Sequence, residues 1–247
     1  MNGVFSKGLV THSNHLNHIF TSRTDSMLGN NFGFNTPDAV ENVSQNRNTL
    51  KKYLHANYLI FPTQTHSSTI HCIDKLNLNS ENELIGDALI TNLTKVAISV
   101  TTADCVPLLI FDAENKVIAA VHAGLKGTLE EITLKTISLM CEKYNCDAKN
   151  IFVAIGPCIS KSNYEIGADV WETLQFTKFE KYLLPHQNTE KRYFDLVESN
   201  INQLLEAGVL KENIENIGIC TFDHEASFFS YRKNKSTGRM ASALVLI

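Results

Sequence analysis

The 247-residue chain reads as a single α+β layered domain spanning residues 1–247. Three observations point there. Short β-rich runs crowd between residues 58 and 122, with Val, Ile and Leu on both faces of several, as in strands buried on both sides. Helical patterns flank them without strict βαβ alternation. No repeat, low-complexity tract or Pro/Gly-rich linker marks an internal boundary.

The first helix is expected within residues 35–54. Asn35 or Thr36 can cap it, Pro37 suits a first turn, and Asp38 and Glu41 favour the positive end of the dipole. Val40, Val43, Arg47 and Leu50 keep helical spacing. Strands follow at YLIFP (58–62), STIHCID (68–74), DALIT (87–91), VAISVTT (96–102), VPLLIF (106–111) and VIAAVH (117–122). The pattern then switches to helix. Thr128 and Glu131 form a capping-box pattern, and Leu129, Ile132, Thr136, Ile137, Met140 and Tyr144 make one apolar face. IFVAI (151–155) returns to strand and stops at Gly156-Pro157. Helices are expected over 167–176 and 194–207, the second closed by Gly208, with strands near 216–221 and 240–247.

Composition removes several function classes. Hydrophobic residues make up 43% and charged residues 19%, the mixture of a globular protein and not of a disordered chain. With 22 basic against 26 acidic residues the formal charge is -4, and no basic cluster offers a field for nucleic acid. No apolar run has the length of a signal-peptide core or a membrane span. The six cysteines contain no CxxC pair, a pattern of reduced thiols in a cytoplasmic protein.

His66, Cys105 and His122 carry the chemistry. A turn at Asp112–Asn115 makes 106–111 and 117–122 antiparallel neighbours, which brings positions 105 and 122 to the same end. Two His and one Cys are donors suited to zinc (Zn2+). With no evident fourth protein ligand, a position stays open for water or substrate, as at a catalytic zinc. Copper is also compatible with such N/S donors. The same atoms admit another chemistry, a Cys105 thiolate nucleophile with His122 as base. His71 and Cys72 compete as ligands, but their strand alternates and turns only one of them inward. His12, His15 and His18 sit in polar surroundings and read as solvated.

Around this group, the Gly124-Leu125-Lys126-Gly127 turn joins backbone N–H groups, helix dipole and a cation into an anion site. It lacks the G-x-x-x-x-G-K spacing of a P-loop. Tyr231-Arg232-Lys233 and Thr237-Gly238-Arg239 supply further cations. Asp87 and Asp104, at strand ends, are candidates for a general base or for orienting a histidine. The H-x-E and P-C-x-x-C signature of zinc deaminases is missing. Nine histidines with no H-x-H pair argue against a multicopper oxidase mechanism.

HIFTSR (18–23), TPDAVENVSQNR (36–47), TQTHSS, GDALIT, TADCVPLLIFD, AAVHAGLKGT, AIGPCISKSNYEIG (154–167) and FFSYRKNKSTGRMASALVLI (228–247) follow in order along nearly the whole chain. In them the sequence resembles the YfiH-like, or laccase-domain, family, once called polyphenol oxidases and also viewed as purine nucleoside phosphorylases. The resemblance implies a four-layer α/β/β/α arrangement with mixed sheets, and a metal held by His66, Cys105 and His122. It also implies phosphorolysis of adenosine, inosine and methylthioadenosine, with adenosine deamination besides. Two departures stand out. Leu125-Lys126 replaces the family's usual Trp-Arg, and Ser67 follows the first histidine where Gly is common. Lysine keeps the charge but loses the bidentate fork that suits phosphate.

The resulting expectation is a zinc-dependent purine nucleoside phosphorylase with deaminase activity. Cys105, His122 and Asp104 would serve catalysis, while Lys126, Arg239 and Arg23 would position phosphate or ribose. The alternatives are a metal-stabilised quality-control protein for cell-wall precursors, with Cys72 as a fourth ligand, a metal-free Cys/His hydrolase, and weak copper-dependent polyphenol oxidation.

Overall fold

Strands that are apolar on both faces need cover on both sides, and the structure supplies it. A computed structural model describes residues 1–24, 29–75 and 84–247. In chain order the elements are β1 (Gly3–Val4), α1 (Lys7–Val10), β2 (Leu16–Thr21), α2 (Val40–Tyr53), β3 (Tyr58–Ile60), β4 (Ile70–Ile73), β5 (Ala88–Thr91), β6 (Val96–Thr102), β7 (Val106–Asp112) and β8 (Val117–Ala123). There follow α3 (Leu125–Leu129), α4 (Ile132–Tyr144), β9 (Ile151–Ile155), β10 (Glu165–Gly167), α5 (Ala168–Leu174), β11 (Leu183–Leu184), β12 (Lys191–Phe194), α6 (Leu196–Glu206), β13 (Ile214–Asn216) and β14 (Met240–Leu246).

Of the two larger sheets one has the order β1-β2-β14-β6-β3 and the other β13-β9-β7-β8-β5-β4, both mixing parallel and antiparallel pairs, and β10-β12-β11 form a small antiparallel third. Three apolar clusters define the layers. Leu109, Phe111, Ile118 and Ala120 of one sheet meet Val96, Ile98, Val100 and Leu244 of the other. The opposite face of β7 and β8 (Leu108, Ile110, Ala119, Val121) packs on Ile137 and Met140 of α4 and Leu204 of α6. The opposite face of β6 and β14 (Ala97, Ala243, Val245) packs on Leu50 of α2. The architecture is therefore α/β/β/α, and the strand alternation decides which residue faces which layer.

Two helix starts differ from the sequence expectation. Helix α2 begins at Val40, with Ala39 in the capping position and no side-chain cap. The residue before a proline is pushed out of helical geometry, and Thr36 instead bonds Asn31 and the Gly33 carbonyl. The segment 125–144 is two helices instead of one with a Thr128–Glu131 capping box. Thr128 lies inside α3, fully buried, and its hydroxyl and carbonyl accept hydrogen bonds from Asn200 and Gln203 of α6. Glu131 takes a left-handed conformation (φ 64°) between the two helices. The expected strand near 216–221 shortens to β13 plus a single bridge between Cys158 and Cys220. Helix α6 closes as read. Gly208 (φ 95°) donates to the Leu205 carbonyl and Val209 to the Leu204 carbonyl, a Schellman ending.

Candidate metal and substrate site

Alternation brings the site together. Ile118 and Ala120 of β8 point between the sheets, and His122 continues that row; Leu109 and Phe111 of β7 do the same, and Cys105 precedes their row. In the β7–β8 ladder His122 pairs with Pro107, so the hairpin places positions 105 and 122 at one end. His66 arrives from the turn after β3, in a left-handed conformation (φ 58°). The three donor atoms lie within 4.8 Å of one another, with His66 Nε2 4.0 Å from Cys105 Sγ and the two imidazole centroids 4.8 Å apart.

Asp87, just ahead of β5, holds this end of the molecule together. Its fully buried carboxylate accepts from the backbone N–H groups of Thr65, His66 and Ser67 and from the Ser67 hydroxyl. It also meets His122 Nδ1 at 2.7 Å, which directs Nε2 of that ring toward Cys105. Burial works to raise the carboxyl's pKa, but the His122 and Ser67 hydrogen bonds bring it down to about 2. Burial likewise opposes charge on Cys105 and His122. Their mutual attraction overrides it, aided by His66 on the thiol and Asp87 on the ring, so the thiol falls to about 6 and His122 rises to about 9. The thiolate is ready to bind a metal, and the proton on His122 Nε2 is the one a metal displaces on binding.

Gly124 completes the cradle. A Cβ there would stand 2.7 Å from His66 Cδ2 and 3.2 Å from Cys105 Sγ, so a side chain would fill the space between the donors. The donor set therefore fits a first-row ion. Closing from 4.8 Å to tetrahedral donor spacing asks for a movement of roughly 1 Å, and His66, on the exposed turn, has room to make it.

The group sits at one end of a cavity of about 920 Å³ whose lining also includes Arg47, Tyr231 and Arg239. Arg239 Nη1 donates to the carbonyls of Thr237 and Gly238, and the guanidinium lies 5.4 Å from the Tyr231 ring centroid. Arg47 is held between Phe34 and Phe61, at 4.2 and 3.9 Å from their centroids, with two N–H groups on the Phe32 carbonyl. Sequence reasoning did not single out Arg47 for the site. The signal was an arginine interrupting the apolar stripe of α2.

The other candidates disperse. Asp104 (φ 90°) is buried, and its carboxylate accepts from Thr221 Oγ1, Ser230 Oγ and the Arg232 N–H, so it ties the loop carrying Tyr231 to the strand end beside Cys105. Lys126 is 67% exposed, lies 3.8 Å from Glu130 and is outside the cavity lining. Gly127 serves close packing, since a Cβ there would meet the Ser67 carbonyl at 2.9 Å. Arg23 binds the Glu225 carbonyl over Phe229, in a separate small pocket. His71 contacts the Ile85 carbonyl, and Cys72 packs toward the helices on the far side of its sheet. His18, read as solvated, is buried in β2, where it accepts from the Ser6 N–H; burial takes its pKa down to about 4 against the pull of Glu215.

A two-His, one-Cys group, two of its members at strand ends and His66 on a turn, opens into a cavity lined by arginines and makes a candidate metal site on an α/β/β/α scaffold. Residues 17–247 match the family described as multi-copper polyphenol oxidoreductase laccase, and the chain belongs to that family. It is 32% identical to a purine nucleoside phosphorylase of Bacteroides thetaiotaomicron over 97% of this chain and 94% of that one. It is 33% identical to an adenosine deaminase of an unknown prokaryotic organism, covering 71% and 70% of the two chains. Among solved structures, YlmD from Geobacillus stearothermophilus superposes with a TM-score of 0.83 at 25% identity, covering 94% of this chain and 92% of that one. YfiH of Bacillus licheniformis gives the same TM-score at 24% identity and shares the fold. Among the described residues, His66, Cys105 and His122 form the one cluster of metal-ligating type, which offers one metal position in a family named for several.

Proposed function

We propose that this chain is a zinc-dependent purine nucleoside phosphorylase that also deaminates adenosine. The observation that carries the reading is the convergence of His66, Cys105 and His122 on one end of a cavity with cationic and aromatic walls. The names of the phosphorylase and deaminase relatives support it. Bound at the three donors, zinc would supply Lewis acidity and a water of lowered pKa.

The chain's own residues do the remaining work. Asp87 fixes the tautomer and tilt of His122, and His122 holds Cys105 as thiolate. Arg239 offers a cation to phosphate, and Tyr231, Phe34 and Phe61 offer aromatic surface to a purine. In phosphorolysis a phosphate oxygen bonds the ribose anomeric carbon as the glycosidic C–N bond breaks and the base departs with a proton on nitrogen. In deamination, water adds at the purine C6 and ammonia leaves. Both reactions need the same purine pocket. No helix among the described residues is long and apolar enough to cross a membrane, and we place the enzyme in the cytoplasm as part of this reading.

The test is base release from adenosine and inosine by metal-loaded protein with and without phosphate. Adenine or hypoxanthine together with ribose 1-phosphate is expected, and Cys105→Ser should lose metal and turnover together. No released base from zinc-loaded protein sinks the proposal. Turnover that survives chelators but not thiol alkylation would instead establish a Cys105–His122 hydrolase. Zinc loss with unfolding in Cys72→Ser would favour a structural metal, against the position of Cys72 on the far face of its sheet.

A further inference from the structure

The cavity is longer than the proposed reaction needs. Its inner end is lined by Thr101, Thr102 and Ala103, beside Cys105, and its outer end by Lys51, Asn57 and Tyr58. Strand β3 runs parallel to β6 with Tyr58 opposite Val96 and Leu59 opposite Ala97. Thr102 lies five to six residues further along β6, so the two ends are separated by roughly 17–20 Å at the rise of an extended strand. A purine nucleoside reacting at the three donors occupies only the inner part.

The lining is also electrically one-sided. Although the chain has more acidic than basic residues, among the described residues Arg47, Lys51 and Arg239 line the cavity and no Asp or Glu does. A cleft of one sign concentrates ligands of the other. Half-buried Lys51 makes no ion pair among the described residues. It stands one helical turn beyond Arg47 on the same face of α2, with Ser44 and Asn48 on that face as well.

The inner end, where Arg239 precedes the Met240–Thr102 pair, supplies a cation for inorganic phosphate. With phosphate there, Lys51 at the outer end is left for a second anion.

We propose that the outer end, at Lys51 and Asn48, is a subsite for an anionic arm of the substrate, and that the preferred substrates are nucleoside 5′-phosphates. This rests on the phosphorylase reading for the reaction, though not for the binding. The choice of the 5′ position follows from the chemistry. The base and the attacking phosphate both meet at the anomeric carbon in the inner end, and the 5′ arm is the substituent left to extend along the trough.

The test compares adenosine, AMP, ADP and free pyrophosphate for binding, by calorimetry at low and high salt, and the three adenine compounds for base release with phosphate. ADP is expected to bind about tenfold more tightly than adenosine, the worth of one charge-assisted contact, and salt should reduce the advantage. In Lys51→Gln and Lys51→Glu the ADP-to-adenosine ratio should fall to about one or below, with adenosine binding in the same sample reporting on folding. ADP binding no tighter than adenosine overturns the subsite. Pyrophosphate binding as tightly as ADP overturns the nucleotide assignment. If adenosine is turned over and ADP shows no preference, the subsite fails alone. If ADP is preferred in binding and no base is released from any compound, the reaction reading fails and the subsite stands.

Discussion

Two buried aspartates flank the site, and they do different jobs. Asp87 and Asp104 each lie next to a strand end, and each accepts several hydrogen bonds from loops distant in sequence. Asp87 gathers the turn that carries His66 and the ring of His122, so its bonds set the positions of two of the three candidate metal donors. Asp104 gathers Thr221, Ser230 and Arg232, so its bonds set the wall on which Tyr231 stands. The comparison teaches that a buried carboxylate beside an active residue need not touch the chemistry. What it organises decides its role.

The sharpest way to break the comparison is Asp87→Asn. Whichever way the amide turns, its NH2 faces N–H donors: His66 N and His122 Nδ1 on one side, Thr65, Ser67 N and the Ser67 hydroxyl on the other. Losing a buried charge partner of this kind costs about 3–5 kcal/mol. Metal affinity should fall by about 10–100-fold, the usual consequence of losing the group that orients a ligating histidine. Denaturant unfolding and metal titration read the two effects. Unchanged metal affinity would remove Asp87 from the account of the site.

Asp104→Asn should do less, and something else. Two of its donors are hydroxyls that can rotate to meet an amide, so about 1–2 kcal/mol of stability is at stake. The wall at Tyr231 loosens while the donors stay in place. The expected signature is a KM raised severalfold with metal content unchanged, and metal loss would show that the two aspartates are not separable in function.

How much of this was legible depended on whether a feature is local. The hairpin that pairs Pro107 with His122 follows from a turn and two alternating runs, so the convergence of positions 105 and 122 could be read directly. The Gly208 helix ending is equally local. The false helix start at Thr128 was not, because a partner in α6, remote in sequence, takes the hydroxyl that a capping box would use. Arg239 was picked out as a cation and does line the cavity, whereas Lys126 and Arg23 were picked on the same charge argument and lie outside it. Charge is visible in sequence; the direction in which a surface side chain leaves the backbone is set by packing. His18 shows the same limit, since polar neighbours in sequence gave no hint that β2 would be covered on both faces.

Gly124→Ala sharpens the comparison by disturbing the donors without touching either aspartate. The new methyl group meets His66 at 2.7 Å and Cys105 at 3.2 Å, while the glycine itself has an ordinary extended conformation (φ -76°, ψ 176°). Backbone strain is therefore not the cost, and the exposed His66 turn can yield. Gly124 is buried, so stability should fall by about 1 kcal/mol, the usual size for a point substitution, while metal affinity falls by about tenfold. Together with Asp87→Asn this separates holding the donors from leaving room for the ion.

The smallest effect is expected at Lys126, and it tests where the anion binds. On charge and position in a glycine turn, Lys126 is the natural phosphate ligand. In the structure it points to solvent beside Glu130, and an exposed i,i+4 pair of this type contributes only about 0.3–0.5 kcal/mol. Lys126→Ala should therefore leave the KM for phosphate within about twofold, since such surface changes stay near ±0.5 kcal/mol, and the same substitution at Arg239 should raise it by about tenfold or more through loss of a charged contact. If instead Lys126→Ala raises the phosphate KM as much as Arg239→Ala does, the turn after His122 closes over the ligand during turnover, and anion recognition belongs to the helix start and not to the cavity wall.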